Sequence, residues 1–345
     1  MKHNDTPETV LTRDGFREAV FVRDGYRCVM CGSPAQDAHH ILERRLWPDG
    51  GYYLSNGASV CGPCHIKCEE TTFSVEEVRE ACGITNPTIP PHLYGDVVYD
   101  KWGNIVLPTG RRLKGELFHD ESVQKILNHG GFLDDFDEYV KYPRTHHLPW
   151  SKGITDDDRV IDSMEHFVGK NIVVTEKMDG ENSSMYRDYY HARSIDSRNH
   201  PSRNWVKNFW SQICHEIPQG WRVCGENMFA QHSISYENLE SYFLGFSIWT
   251  DLNICLSWKE TLEYFELMGI TPVKVLYSGI YDEAVVCKLN NRNWNDHEGY
   301  VLRLADEFHY KDFRRSAAKF VREGHVQTVK HWMHGKPVEP NKLKT

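Results

Sequence analysis

Ile172-Val173-Val174-Thr175-Glu176-Lys177-Met178-Asp179-Gly180-Glu181-Asn182 runs from β-branched apolar residues into a tight acidic turn that holds one lysine. Ile, Val and Thr favour strands and Asp-Gly favours a turn, so the stretch predicts a strand feeding a turn at Lys177. Such a turn is where an enzyme would present a lysine nucleophile. Taken alone, Lys-x-Asp-Gly is also an ordinary turn, and the residues farther along the chain decide between the two readings.

Downstream, short β-rich runs at 222–224, 242–249, 273–277 and 299–304 alternate with polar turns. This is an α+β pattern with mostly antiparallel sheets. Several runs adjoin polar residues with chemistry: His191-Ala192-Arg193-Ser194, Gly225-Glu226-Asn227, Leu244-Gly245-Phe246-Ser247-Ile248-Trp249, Glu298-Gly299-Tyr300-Val301-Leu302-Arg303 and Ala317-Ala318-Lys319-Phe320-Val321-Arg322. In this order, over roughly residues 140–332, they resemble the covalent nucleotidyltransferases, the superfamily of ATP-dependent ligases and RNA capping enzymes, and RNA ligases most closely.

That resemblance implies a nucleotidyltransferase fold with ATP-grasp-like antiparallel sheets over 140–345. It implies that Lys177 is adenylylated by ATP, that Arg193 is the basic residue of the next motif and that Glu226 contacts the ribose. Phe246 would stack on the base, Glu298 would bind Mg²⁺ or Mn²⁺, Lys319 would grip the α-phosphate and Glu176 would face adenine. The family's last motif usually carries two lysines separated by one residue. Here Arg322 follows instead, so either it supplies the second charge or that role falls elsewhere. Fewer than about thirty residues follow Arg322, too few for a closed five-stranded OB barrel, which favours RNA ligase over its relatives. In chemical terms, a lysine amine attacks only when deprotonated, so partial burial with Arg193, Lys319 and Arg322 nearby is expected to lower its pKa.

The N-terminal segment, 1–82, has a different centre. Cys28-Val29-Met30-Cys31 and Cys61-Gly62-Pro63-Cys64 are paired knuckles, the spacing of a structural tetrahedral Zn²⁺ site. Between and after them lie His39-His40, Asn56 and His65. Together they resemble the HNH nuclease family and its ββα-metal fold. The resemblance implies His40 as general base, Asn56 as the brace of its loop, and His39 and His65 as ligands of a divalent ion. A helix is expected over 17–27, with Phe16, Val20 and Phe21 on one face.

Residues 83–139 read as a Pro-rich linker followed by an adaptor, with a β-hairpin turning at Asp100-Lys101-Trp102-Gly103-Asn104 and a helix over 121–129. Asp156-Asp157-Asp158 reads as a helix start capped by Thr155. Two clusters suit single-stranded or nicked nucleic acid. The first holds Arg187, His191, Arg193, Arg198, His200, Arg203 and Lys207 among Tyr189, Tyr190 and Trp205. The second holds Lys311, Arg314, Arg315, Lys319, Arg322, Lys330 and Lys336, with His325, His331 and His334.

With 345 residues, 40% hydrophobic and 26% charged, the chain has the composition of a two-domain soluble protein. No apolar run is long enough to span a bilayer, so no membrane partner and a cytoplasmic location are expected. A net charge of −9 excludes indiscriminate wrapping of nucleic acid but not a local basic groove. The expectation is an ATP-dependent RNA ligase in RNA repair, joined to an HNH-like module. Its partner would be nicked or broken RNA, with DNA ends left open and no obligate protein partner evident. The rival readings are an HNH endonuclease whose large domain only binds nucleic acid, and a non-catalytic end-binding protein.

Overall fold

The computed structural model describes residues 8–93, 95–155, 158–292, 294, 297–325 and 338–344. The expected positions Asp156, Asp157, Lys330, His331, His334 and Lys336 lie outside them. The chain divides into two compact units, Met1–Asp137 and Glu138–Thr345. No helix among the described residues is long and apolar enough to cross a membrane.

In the first unit, Thr12 accepts from Gly15 N and starts helix α1, Arg13–Arg23, which buries Phe16, Val20 and Phe21. The helix therefore begins a turn earlier than expected, because the cap and not the apolar face sets its start. Strands β1, Asp37–His40, and β2, Gly57–Val60, pair antiparallel with His40 opposite Gly57. Helix α2, Gly62–Glu69, follows with Pro63 in its first turn, and α3, Val75–Ala81, opens with a Ser74–Glu77 capping box.

The expected turn at 100–104 closes through Asp100 N donating to Asn104 O at 2.9 Å. The flanks pair as the hairpin requires, Tyr99 bridging antiparallel to Ile105 and Val106 N donating to Val98 O at 3.0 Å. The outgoing strand β3, Ile105–Val106, is also laddered to β4, Arg112–Leu113. Asp100 is buried against Arg112, 2.9 Å away, which fixes the turn to β4. This stretch also reaches back to α2, the helix that begins within the second cysteine pair, with Trp102 Nε1 donating to Glu69 O at 3.0 Å. Helix α4, Glu121–His129, is capped by Asp120.

The second unit carries β5, His146–His147; β6, Asn171–Lys177; β7, Glu181–Met185; β8, Tyr190–Ala192; helix α5, Asn204–Ile213; β9, Arg222–Asn227; and β10, Phe243–Trp249. It continues through β11, Ile254–Cys255; α6, Trp258–Leu267; β12, Thr271–Pro272; β13, Val275–Ile280; α7, Glu283–Lys288; β14, Gly299–Leu304; β15, Phe308–His309; α8, Phe313–Ser316; and β16, Ala317–Val321. One sheet has the order β13-β6-β14-β16-β5; the other runs β15-β11-β10-β9-β7-β8, with β12 beside β10.

Strand alternation separates core from site. Ile172 and Val174, Tyr300 and Leu302, and Ala318 and Phe320 share one buried core cluster. The intervening Thr175, Lys177, Val301, Arg303 and Lys319 line a cavity. Between β6 and β7 the chain crosses from the five-stranded sheet to the seven-stranded one through Met178-Asp179-Gly180. Gly180 is required there: a Cβ would stand 2.6 Å from Asn227 O. Gly299 is required too, since its Cβ would approach Phe320 O to 2.0 Å on the adjacent strand.

Candidate active sites

The cavity of the second unit encloses about 300 Å³, at the lower end for a small-molecule site. Antiparallel register builds it. Lys177 lies opposite Gly299 across β6 and β14, which puts Glu298 beside the lysine, and Lys319 lies opposite Val301 across β16 and β14. From the other sheet comes Glu226, opposite Asn182 on β7. Glu176, Phe246 and Arg193 also line the cavity; Phe246 packs edge-on to Tyr142 at 5.2 Å, and Arg193 is exposed at its surface. The lining thus combines apolar faces for a base with both signs of charge.

Lys177 Nζ donates to Glu298 Oε2 at 2.6 Å. Burial alone would lower its pKa, but Glu298 and Glu226 outweigh burial and raise it. This corrects the expectation of a lysine depressed by cations. Glu226 is the converse: burial pushes its carboxyl up to about 8, and the Lys177 ammonium only partly offsets that. Lys319 is lowered by burial, with Asp158 opposing. Arg322 does not line the cavity; its Nε donates to the carbonyl of His297 at 3.0 Å. Glu176 is committed to a hydrogen bond with His297 Nδ1.

Two residues join this site that motif reading does not place there. Asp179 holds Ser233 N at 2.9 Å, Ser233 Oγ at 2.6 Å and Ile234 N at 3.0 Å on Oδ2. His325, expected in a basic surface cluster, has a side chain only 3% exposed, with Nε2 at 3.8 Å from Asp179 Oδ1 and 3.6 Å from Glu298 Oε1. Asp179, Glu298 and His325 can offer ligand atoms within 4.8 Å of one another, so a divalent ion fits here.

The first cationic stretch is only partly available to a ligand. Arg187, Arg193 and Arg198 are exposed, but His191, Tyr190 and Arg203 are buried, and Arg203 is paired with Glu181. The helix start expected at Asp156-Asp157-Asp158 lies largely outside the described residues; at its edges Thr155 donates its N–H and hydroxyl to Asp158, at 3.2 and 2.9 Å.

The first unit has a separate pocket of about 550 Å³. His39 Nδ1 and His65 Nε2 each lie 3.2 Å from Glu69 Oε1, and the three side chains can converge on one ion. The sequence motifs do not include Glu69, although it lies one helical turn after His65 on α2. Burial pushes Glu69 up, yet hydrogen bonds with His39 and His65 and the charge of Lys101 bring it far below the carboxylate norm. His40 stacks on Phe16 at 4.6 Å. Burial, then Lys101 and Arg44, lower His40 to about 4. Lys101 itself donates to His40 O at 2.8 Å and sits 3.2 Å from Glu69. Asn56 braces the intervening loop, accepting from Leu42 N at 2.9 Å and donating to Leu42 O at 3.0 Å and Gly51 O at 3.2 Å.

The sulfurs of Cys28, Cys31, Cys61 and Cys64 lie within 4.8 Å of one another, with Cys31 and Cys61 at 3.6 Å. Tetrahedral Zn–S bonds of about 2.3 Å require sulfurs about 3.8 Å apart, so the cluster suits zinc.

Residues 170–321 match the family model described as RNA ligase. Among solved structures, the chain is similar to an archaeal ATP-dependent RNA ligase at 14% identity and a TM-score of 0.39, over 53% of this chain and 48% of that one. It is similar to a Naegleria gruberi RNA ligase mutant with AMP and Mn at 16% identity and 0.37, over 54% and 56%. A putative ATP-dependent DNA ligase from Aquifex aeolicus gives 17% and 0.36, over 53% and 50%. The chain spans about half the length of these proteins. No curated protein sequence matches it.

Proposed function

We propose that the second unit is an ATP-dependent RNA ligase that works through a lysyl-AMP intermediate. The observation that carries this reading is Lys177 Nζ at 2.6 Å from Glu298, on a cavity that also presents Glu226 and Lys319. The match of residues 170–321 to the RNA ligase family supports it. Lys177 Nζ attacks the α-phosphorus of ATP; a P–N bond forms, the bond to the bridging oxygen breaks, and pyrophosphate leaves. An RNA 5′-phosphate oxygen then takes the AMP from the lysine. A 3′-hydroxyl displaces AMP from the activated end and seals the strand.

The chain's own residues govern the first proton. Glu298 and Glu226 hold it on Lys177, so the amine is freed when those carboxylates find other partners. A divalent ion held by Asp179, Glu298 and His325 would supply charge neutralisation for the triphosphate. Lys319 is placed to meet a phosphate, Glu226 to accept from ribose hydroxyls, and Phe246 to face the base.

The first unit supports a second activity, metal-dependent phosphodiester cleavage by a zinc-stapled HNH-like centre. The observation that favours it is His40, kept neutral beside the His39–His65–Glu69 cluster and thus able to take a proton from water. Cutting and resealing by one cytoplasmic RNA-repair protein is the role that combines the two.

The ligase reading is tested with ATP labelled at the α-phosphate and Mg²⁺ or Mn²⁺. Wild type should acquire covalent label and Lys177→Ala should acquire none. A wild type that takes no label overturns the reading.

A further inference from the structure

Strand β16 presents only one charge to the cavity of the second unit. Lys319 faces it, but the next residue on that side, Val321, is buried against Gly153, and Arg322 turns to the His297 carbonyl. A second cation nevertheless stands beside Lys319. Asp158 Oδ1 is 3.4 Å from Lys319 Nζ and 3.4 Å from Arg144 Nη2, and all three side chains line the cavity.

Asp158 is anchored by its other oxygen. Oδ2 accepts from Thr155 N at 3.2 Å and Thr155 Oγ1 at 2.9 Å, and lies 3.3 Å from His147 Nε2. His147 is fully buried; its Nδ1 is 2.7 Å from Ser151 Oγ, which accepts from Val321 N at 2.9 Å. The carboxylate is thus tied back to the strand that carries Lys319. Its free oxygen holds two cations at distances longer than the roughly 2.7–2.9 Å of a tight charge-assisted bond. Two cations so close would repel each other without an anion between them, and a phosphate can take that place with shorter contacts.

We infer that Arg144 is the second phosphate-binding cation of this site, partner to Lys319, and that Asp158 is a positioning residue that keeps the pair together. The inference rests on the reading of the second unit as an ATP-using enzyme.

Equilibrium binding of ATP and of adenosine to the full chain, in the Lys177→Ala background to prevent turnover, tests it. Adding Arg144→Ala should weaken ATP about tenfold or more and leave adenosine within about twofold. Arg144→Lys should recover most of the loss, and Asp158→Asn should weaken ATP by a smaller factor with adenosine again unmoved. Unchanged ATP affinity in Arg144→Ala, or an equal loss of ATP and adenosine, overturns the assignment. The two readings fail separately. A protein that prefers ATP to adenosine through Arg144 but never forms lysyl-AMP removes the ligase reading and leaves this one standing.

Discussion

The lysine cavity of the second unit and the histidine pocket of the first bury their reactive nitrogens in opposite company. Lys177 sits among carboxylates, which overcome burial and keep its proton on. His40 sits near Lys101 and Arg44, which add to burial and keep a proton off. Burial acts in the same direction on both groups; the neighbours reverse it at Lys177 and reinforce it at His40, so one nitrogen is locked and the other ready. A locked nucleophile reacts only when ligands claim its carboxylates, whereas a neutral imidazole is available throughout the physiological range.

The largest expected effect separates the two units outright. Cys64→Ser should lose the zinc ion and with it the fold of the first unit, since structural zinc supplies on the order of 10 kcal/mol to small domains. Zinc content should fall from about one per chain to none. Amide exchange should accelerate across β1 and β2 while β6 and β14 keep their protection; equal loss in both units would show that they do not fold independently.

A second test concerns the carboxylate side. The Glu226 proton is held more tightly in the folded state, at about 8, than in the unfolded chain, near 4.3. Its contribution to stability is therefore full below pH 4 and is lost as pH rises toward 8. Glu226→Gln should match wild type in urea near pH 4 and become progressively more stable than it up to pH 8, with a constant difference above. A flat difference across this range would show that burial does not hold that proton.

The smallest effect is a titration. The His40 ring should show an NMR inflection near pH 4. Lys101→Met should move it part of the way toward 6.5, because burial, the larger cause, remains. An inflection already at 6.5 in wild type would erase the contrast between the two sites.

Where chemistry lies beside a strand, the sequence discloses the site. Lys177, Glu226 and Glu298 each adjoin a β-run; strand pairing sets Glu298 beside Lys177, and Glu226 reaches the same cavity from the other sheet. The sheets are legible for the same reason: 299–304 reads as a strand and is one. What stays hidden comes from distant, irregular chain. Arg144, Asp158 and Lys101 belong to no periodic segment, and only tertiary packing sets them against Lys319 and His40. His325 reads as part of a basic surface because its neighbours in sequence are charged. Two misses do carry a signal. Alternation from Lys319 turns Arg322 away, and the spacing from His65 to Glu69 puts both on one helical face.

The Met178-Asp179-Gly180 connector works as a ruler. It is all the chain between the strand that ends at the nucleophile and β7, the neighbour of the strand that carries Glu226, and Gly180 leaves it no slack against Asn227. One residue gained or lost there would shift the phase of every later contact between the sheets, whereas the loop at 233–242 lies beyond both strands. A change of length across these three positions would therefore move Lys177 relative to Glu226, which reaches the cavity from the other sheet.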